Sequence, residues 1–252
     1  MRTFKKIPAL FKALFLAISP FLMVSLVSAK DYTEDRKTES KFAVEESKKT
    51  GTLSYTSFKV GGCTVRHGYE KADKETEKKV AAVKEAIKIA NDAGFPIPDF
   101  DLITSAEAKV RCVAFLGDQD GRAKIMFFLG PKMFAVTPKS SVKGVADAVP
   151  PERKGVAVAL HEFGHAFHEK LNPDKFWPQK DPKKKDTNPP VSAADVSMYA
   201  LQSKLEFVAE VFAGVLMKQK YSDEVFNPYK DFGGPTSTEF NKLMKEQTLP
   251  KK

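Results

Sequence analysis

The sequence has 252 residues, of which 42% are hydrophobic, and a formal net charge of +9 at pH 7. Residues 1–29 hold four basic side chains and no acids, so the net charge falls to +5 without them. Apart from Lys180–Lys185, the other basic residues alternate with acids. This alternation argues against a nucleic-acid partner and is typical of a solvated surface. Binding to an anionic cell wall or membrane is the second interpretation.

The N-terminal segment Met1–Ala29 has the layout of a secretory signal peptide. An apolar run, Leu14–Val27, leads into the small residues Val27-Ser28-Ala29 of a cleavage site. Four basic residues precede that run: Arg2, Lys5, Lys6 and Lys12. Cleavage makes Lys30 the first residue of an exported protein, which is secreted, extracellular or periplasmic.

A membrane-spanning helix over Phe11–Val27 is the alternative to a cleaved signal. This stretch carries only one charge, at Lys12, and is nearly long enough to cross a bilayer. Pro20 and the small residues Ser28-Ala29 favour cleavage. We therefore expect no stable membrane span in the exported protein.

The segment after the signal predicts a flexible charged leader, because residues 30–50 are mostly Lys, Glu, Asp, Ser and Thr. Residues 30–252 are long enough for one well-buried domain or two small lobes, and we expect a single domain over residues 51–252. At its start, Thr52–Val65 is β-prone and is interrupted by Gly61-Gly62, which predicts one or two short strands.

Lys74–Asn91 predicts an amphipathic helix, since Val80, Val83 and Ile87 recur at helical spacing. The runs Lys109–Leu116 and Ala123–Leu129 then predict a β-hairpin, because a Gly- and Asp-rich turn separates them. An exposed edge strand in this hairpin is suited to holding a peptide by strand addition.

A second helix is predicted over Gly155–Lys170. Asn172–Pro190 contains five prolines and the basic cluster, which predicts a loop. A third helix is predicted from about Ala193 or Ser203 to Lys220. The order of elements indicates an α+β fold.

The chain has two cysteines, Cys63 and Cys112. In an oxidising compartment they are expected to form a disulfide, which stabilises a loop of this size by roughly 4 kcal/mol in the chain-entropy model. Two separately buried thiols are the alternative.

The segment His161-Glu162-Phe163-Gly164-His165 matches the pattern HExxH. Two residues four positions apart lie about 40° apart on a helix, so both imidazoles can reach one zinc ion. Glu162 is turned aside and occupies the general-base position. The alternative is a chance match whose side chains are hydrogen-bonded core groups.

A catalytic zinc ion needs a third protein ligand. His168 lies a further turn along the same helix, too far from an ion held by the first two histidines, and His67 has no motif around it. The third candidate is a carboxylate, since Glu206 and Glu210 lie four apart on one face of an otherwise apolar helix. The alternative for this pair is two surface acids near basic neighbours.

The HEFGH segment, with Tyr199 seven residues before the first glutamate of Glu206-Phe207-Val208-Ala209-Glu210, resembles the catalytic domain of anthrax lethal factor and its relatives, which include small secreted Pro-Pro endopeptidases. The resemblance covers about Val156–Met217. It implies a zincin-like fold with a small mixed or antiparallel sheet, an HExxH helix and a C-terminal helical part that carries the glutamate ligand.

The resemblance also implies a role for each matching residue. One Zn²⁺ is bound by His161, His165 and Glu206, as in gluzincin-type peptidases, with no other cofactor. Glu162 is the catalytic base, Tyr199 directs its hydroxyl at the developing oxyanion, and Glu210 orients a histidine ligand.

The predicted function is therefore that of a secreted zinc metalloendopeptidase, a monomer that acts on peptide or protein substrates. Zinc-activated water attacks the peptide bond and the glutamate serves as general base. The alternative is a non-catalytic cell-surface or toxin-associated binding module that retains the fold.

Overall fold

The computed structural model describes residues 54–69, 71–104, 114–119, 122–129, 144–176 and 188–250, all within one compact unit. The predicted signal peptide and leader lie outside the described residues, so both stay predictions. In the described part of the chain, no helix combines the length and the apolar character that crossing a membrane requires.

The described strands form one mixed five-stranded sheet in the order β1-β2-β3-β5-β4. The strands are β1 (Ser54–Val60), β2 (Cys63–Tyr69), β3 (Phe100–Thr104), β4 (Ala114–Gln119) and β5 (Arg122–Leu129). The inner strands β2, β3 and β5 are parallel, whereas β1 and β4 pair antiparallel at the two edges. A mixed sheet with helices around it confirms the α+β class.

Both predicted strand regions form antiparallel pairs. Gly61 and Gly62 connect β1 to β2 with φ of 54° and 86°, the left-handed conformation that a tight hairpin turn requires. In the second hairpin Gln119 pairs with Arg122, so the strands come closer to the turn than the sequence pattern indicated. Residues 105–113 lie outside the described residues.

Six α-helices are described: α1 (Lys74–Asp92), α2 (Lys154–Leu171), α3 (Pro173–Phe176), α4 (Lys204–Leu216), α5 (Asp223–Asp231) and α6 (Thr238–Glu246). The first two match the predicted helices closely. The short α3 lies where a loop was predicted, and residues 177–187 lie outside the described residues. The helices α5 and α6 were not predicted.

The third predicted helix begins at Lys204, with Ser203 as its N-cap, and ends at Leu216. The earlier predicted start, at Ala193, is wrong because the segment before Ser203 forms two short 3₁₀ turns instead, Val191–Asp195 and Ala200–Gln202.

The helices α2 and α4 pack against one another more extensively than any other described pair of helices. Gly164 allows this approach, since a Cβ atom built on it would lie 3.1 Å from the Cα atom of Ala209 and 3.1 Å from the ring of Phe212. The first of these atoms belongs to the backbone and cannot move aside alone. The glycine therefore sets the distance between the two helices.

We expect Gly164→Ala to destabilise the metal-free protein. Helix propensity favours alanine by about 1 kcal/mol, but overpacking a tight contact costs about 1–3 kcal/mol, and strain against the backbone of α4 makes the cost exceed the gain. Chemical denaturation of the metal-free variant measures the difference. An unchanged or higher free energy of unfolding would show that the contact between the helices is not tight.

Candidate metal centre

The predicted HExxH segment lies in the middle of α2, where the helix is buried on most of its circumference. His161 is 8% exposed and His165 is partly buried, and their ring centroids are 4.7 Å apart. Two imidazoles on one face are thus directed away from solvent towards a neighbouring helix.

That neighbour is α4, whose first turn carries Glu206. The hydroxyl of Ser203 accepts a hydrogen bond from the backbone N–H of Glu206 at 3.2 Å, so this N-cap fixes the start of the helix. The positive end of the helix dipole also favours a carboxylate in the first turn. The local sequence therefore places a partly buried carboxylate opposite the two histidines.

The three side chains converge on one point. Nε2 of His161 lies 3.1 Å from Nε2 of His165, and Oε2 of Glu206 lies 3.1 and 3.3 Å from these two nitrogens. Three ligand atoms of a tetrahedral ion, each about 2.0–2.1 Å from the metal, are themselves roughly 3.3 Å apart. The three residues form a group that could hold a metal ion.

Glu210, one turn further along α4, contacts the other side of the same imidazole. Nδ1 of His161 donates to Oε1 of Glu210 at 2.8 Å. In the neutral imidazole, which is the form that binds a metal ion, this bond places the proton on Nδ1 and leaves Nε2 as a lone-pair donor directed at the group. Glu210 thus contacts the histidine that the resemblance led us to expect, and its role in orienting a metal ligand stays a prediction.

The charges of the group favour a bound cation. Burial lowers the pKa of His161, but its hydrogen bonds to Glu206 and Glu210 outweigh burial and hold the pKa well above its usual value. Burial raises the pKa of Glu206, but the charge of His165 and the hydrogen bonds from both histidines hold it well below the usual range. The carboxylates thus stabilise positive charge at the position between the rings.

The two predicted catalytic residues adjoin this group. Glu162 follows His161 on α2 and is half-buried. The ring centroid of Tyr199 is 5.6 Å from that of His161, and the tyrosine is also half-buried. The structure thus brings Tyr199 beside the group although it lies 38 positions after His161 in the chain.

The other two histidines lie away from this group. Nε2 of His168 is 2.8 Å from the carbonyl oxygen of Phe232, and burial lowers the pKa of His168 to about 4. Nε2 of His67 is 2.9 Å from the hydroxyl of Thr104, and burial lowers its pKa to about 4 as well. Both are neutral core residues near pH 7.

Cys63 is a free thiol that is 1% exposed and donates to the carbonyl oxygen of Pro98 at 3.2 Å. Burial raises its pKa to about 12. The structure thus has no disulfide at Cys63. Cys112 lies outside the described residues, so a disulfide formed with Cys63 in an oxidising compartment stays a prediction.

Two hydrogen bonds at the candidate metal centre were not predicted from the sequence. The hydroxyl of Ser197 and the backbone N–H of Val145 both donate to Oε2 of Glu210, at 2.7 and 2.6 Å. A backbone N–H donor cannot be recognised from a pattern of residue types. Ser197 lies two residues before Tyr199, a position to which no motif drew attention.

The edge strand β4 lies against α2, the helix that carries the histidines.

No model of a known protein family matches the chain, and no significantly similar sequence is found among curated proteins. The arguments about function therefore depend on the residues of this centre and on their surroundings.

Proposed function

We propose that the chain is a zinc-dependent endopeptidase of the gluzincin type, exported by its N-terminal signal. The observation that carries this proposal is the convergence of His161, His165 and Glu206 on one point. Glu162 lies next to His161 on the helix α2. The resemblance of the HEFGH and EFVAE segments to the lethal factor catalytic domain supports the same function.

The donor set favours zinc. Two imidazole nitrogens and one carboxylate oxygen are typical of catalytic zinc, and three protein ligands leave a fourth position for water or substrate. When bound, zinc lowers the pKa of water towards 7 and polarises the scissile carbonyl.

The residues around the ion supply the remaining chemistry. Glu162 takes a proton from the attacking water and returns it to the leaving amine. The hydroxyl of Tyr199 donates a hydrogen bond to the oxygen of the carbonyl as negative charge develops there. The outer edge of β4, on which no other described strand pairs, holds the substrate backbone as an added strand beside α2.

The first test of the proposal is metal dependence. We expect the purified protein to cleave members of a peptide library that includes Pro-Pro bonds, and phenanthroline to abolish that cleavage. Because the three ligands form one site, adding back about one zinc ion per chain should restore the activity. Mass spectrometry of the products gives the cleaved bonds.

The same experiment tests the alternative of a binding module. A protein that takes up zinc but cleaves no peptide, before or after the metal is restored, would favour a non-catalytic role. Cleavage that persists after complete removal of the metal would instead rule out the proposed mechanism.

A further inference from the structure

Ser197 bridges the metal centre and the turn that carries Tyr199. Its hydroxyl donates to Oε2 of Glu210 at 2.7 Å and accepts the backbone N–H of Ala200 at 3.0 Å. The second bond closes a turn around Tyr199, and the first ties that turn to α4. One hydroxyl therefore anchors the residues on both sides of the tyrosine.

The carboxylate of Glu210 is the point where three segments meet. It is 4% exposed and accepts hydrogen bonds from Nδ1 of His161, from the backbone N–H of Val145 and from the hydroxyl of Ser197. These donors come from α2, from the 3₁₀ turn Val145–Asp147 and from the Tyr199 turn. A displacement of any one donor changes the geometry of the others.

The Tyr199 turn, residues 197–200, is anchored in the core at Ala200 but is exposed on either side of it. Met198 is 50% exposed and Leu201 is 36% exposed, whereas only Ala200 of the immediate neighbours is fully buried. The 3₁₀ turn Ala200–Gln202 lacks a side-chain hydrogen bond at its N-cap. The two hydrogen bonds of the Ser197 hydroxyl therefore act together with the burial of Ala200 in fixing the position of the turn.

We infer that Ser197 is a positioning residue: acting through Glu210, it holds Tyr199 in a fixed place relative to the imidazole of His161. This inference rests on the proposed peptidase function, since the position of the Tyr199 hydroxyl matters most in the transition state. The hydrogen bonds of the Ser197 hydroxyl go to Glu210 and Ala200, neither of which is among the three side chains of the metal group.

We expect Ser197→Ala to lower kcat by about 10- to 100-fold, because misplacing a catalytic group by about 1 Å has an effect of this size. KM should change by less than about twofold, since ground-state binding does not use the tyrosine hydroxyl. Zinc content, measured by elemental analysis, should equal that of the wild type. Ser197→Thr keeps the hydroxyl and should restore most of kcat.

A double-mutant cycle tests whether the effect passes through Tyr199. In a Tyr199→Phe background the hydroxyl to be positioned is absent, so adding Ser197→Ala should lower kcat by less than about twofold. Fully multiplicative effects of the two substitutions would overturn the inference.

A second measurement, hydrogen exchange, does not depend on catalytic activity. In the metal-free protein, Ser197→Ala removes the acceptor of the Ala200 N–H, so hydrogen exchange at that amide should become at least about tenfold faster. Ser192→Ala is the matched control, because the buried hydroxyl of Ser192 has no hydrogen-bond partner among the described residues. This control should leave both kcat and Ala200 exchange unchanged.

The outcomes separate the two proposals. If the wild type shows no zinc-dependent cleavage, the proposed function fails. Independently of activity, unchanged hydrogen exchange at the Ala200 amide in the Ser197→Ala variant overturns the positioning role of Ser197. If the wild type is active and folded Ser197→Ala has wild-type kcat, only the inference fails. Should the alanine variant unfold, Ser197→Cys carries the test, because a thiol is a weak donor and the same loss of kcat is expected.

Discussion

Replacing Glu162 by glutamine is expected to lower kcat by about 10²- to 10⁴-fold, the usual contribution of a general acid–base residue. Glutamine keeps the size and polarity of the side chain but cannot accept the proton of the attacking water. Because Glu162 is not one of the three converging side chains, the variant should retain its metal. Peptide hydrolysis measures the first expectation, and elemental analysis of the purified variant measures the second.

Glu152→Gln is the matched control for this substitution. Glu152 is exposed in the turn Pro151–Arg153 that precedes α2, so its replacement removes the same charge without altering the centre. We expect kcat to stay within about twofold of the wild type, since surface substitutions away from a site have small effects. A fully active Glu162→Gln protein would mean that this glutamate is not the general base.

Removing His161 should have the second large effect, loss of the metal. His161→Ala deletes one of three ligands, so the zinc content should fall from about one ion per chain to a small fraction, and zinc-dependent cleavage should disappear with it. The substitution also leaves the buried carboxylate of Glu210 without its ring N–H donor. Glu210 keeps its donors from Val145 and Ser197, but losing one hydrogen bond to a charged group costs about 1.5–3 kcal/mol, so the metal-free variant should also unfold more readily.

His67→Gln provides the comparison for His161→Ala. His67 is also a buried histidine, 4% exposed, but its ring contacts the hydroxyl of Thr104 and lies outside the metal-binding group. We expect this variant to keep its zinc even where packing defects lower its stability. Equal zinc contents in the two variants, after dialysis against a weak chelator, would show that the metal is held elsewhere.

Long amphipathic elements were predictable from the sequence because their periodicity repeats. In α1, Val83, Ala86 and Ile87 are fully buried on one face, and Asp73 caps the helix by accepting from the backbone N–H of Thr76 at 2.9 Å. In the hairpins, the turn residues marked the connections. Repetition over several turns makes such signals stronger than any single residue.

The two C-terminal helices were missed because each has nine residues, too few for the periodicity to repeat. Pro228 inside α5 further weakened the helical pattern. For α6, the remaining sequence signal was its N-cap residue, Ser237. The hydroxyl of Ser237 accepts a hydrogen bond from the backbone N–H of Phe240 at 2.9 Å. Their stability comes from tertiary burial, with Phe226, Phe240 and Met244 packed into the core.

The sequence by itself determined the chemistry of the candidate site. Residues four apart share a helix face, so His161 and His165 had to point together. The same rule left Glu206 and Glu210 equally suited to be the third donor, and only the resemblance implied a choice.

The tertiary structure decided between the two carboxylates. Oε2 of Glu206 lies 3.1 and 3.3 Å from the two Nε2 atoms, whereas Glu210 reaches Nδ1 of His161 on the opposite side of the ring. Spacing along one helix fixes a face, but the distance between side chains on two helices depends on how closely their backbones approach. Here Gly164 permits that approach, and the packing of α4 on α2 determines which carboxylate meets the histidines.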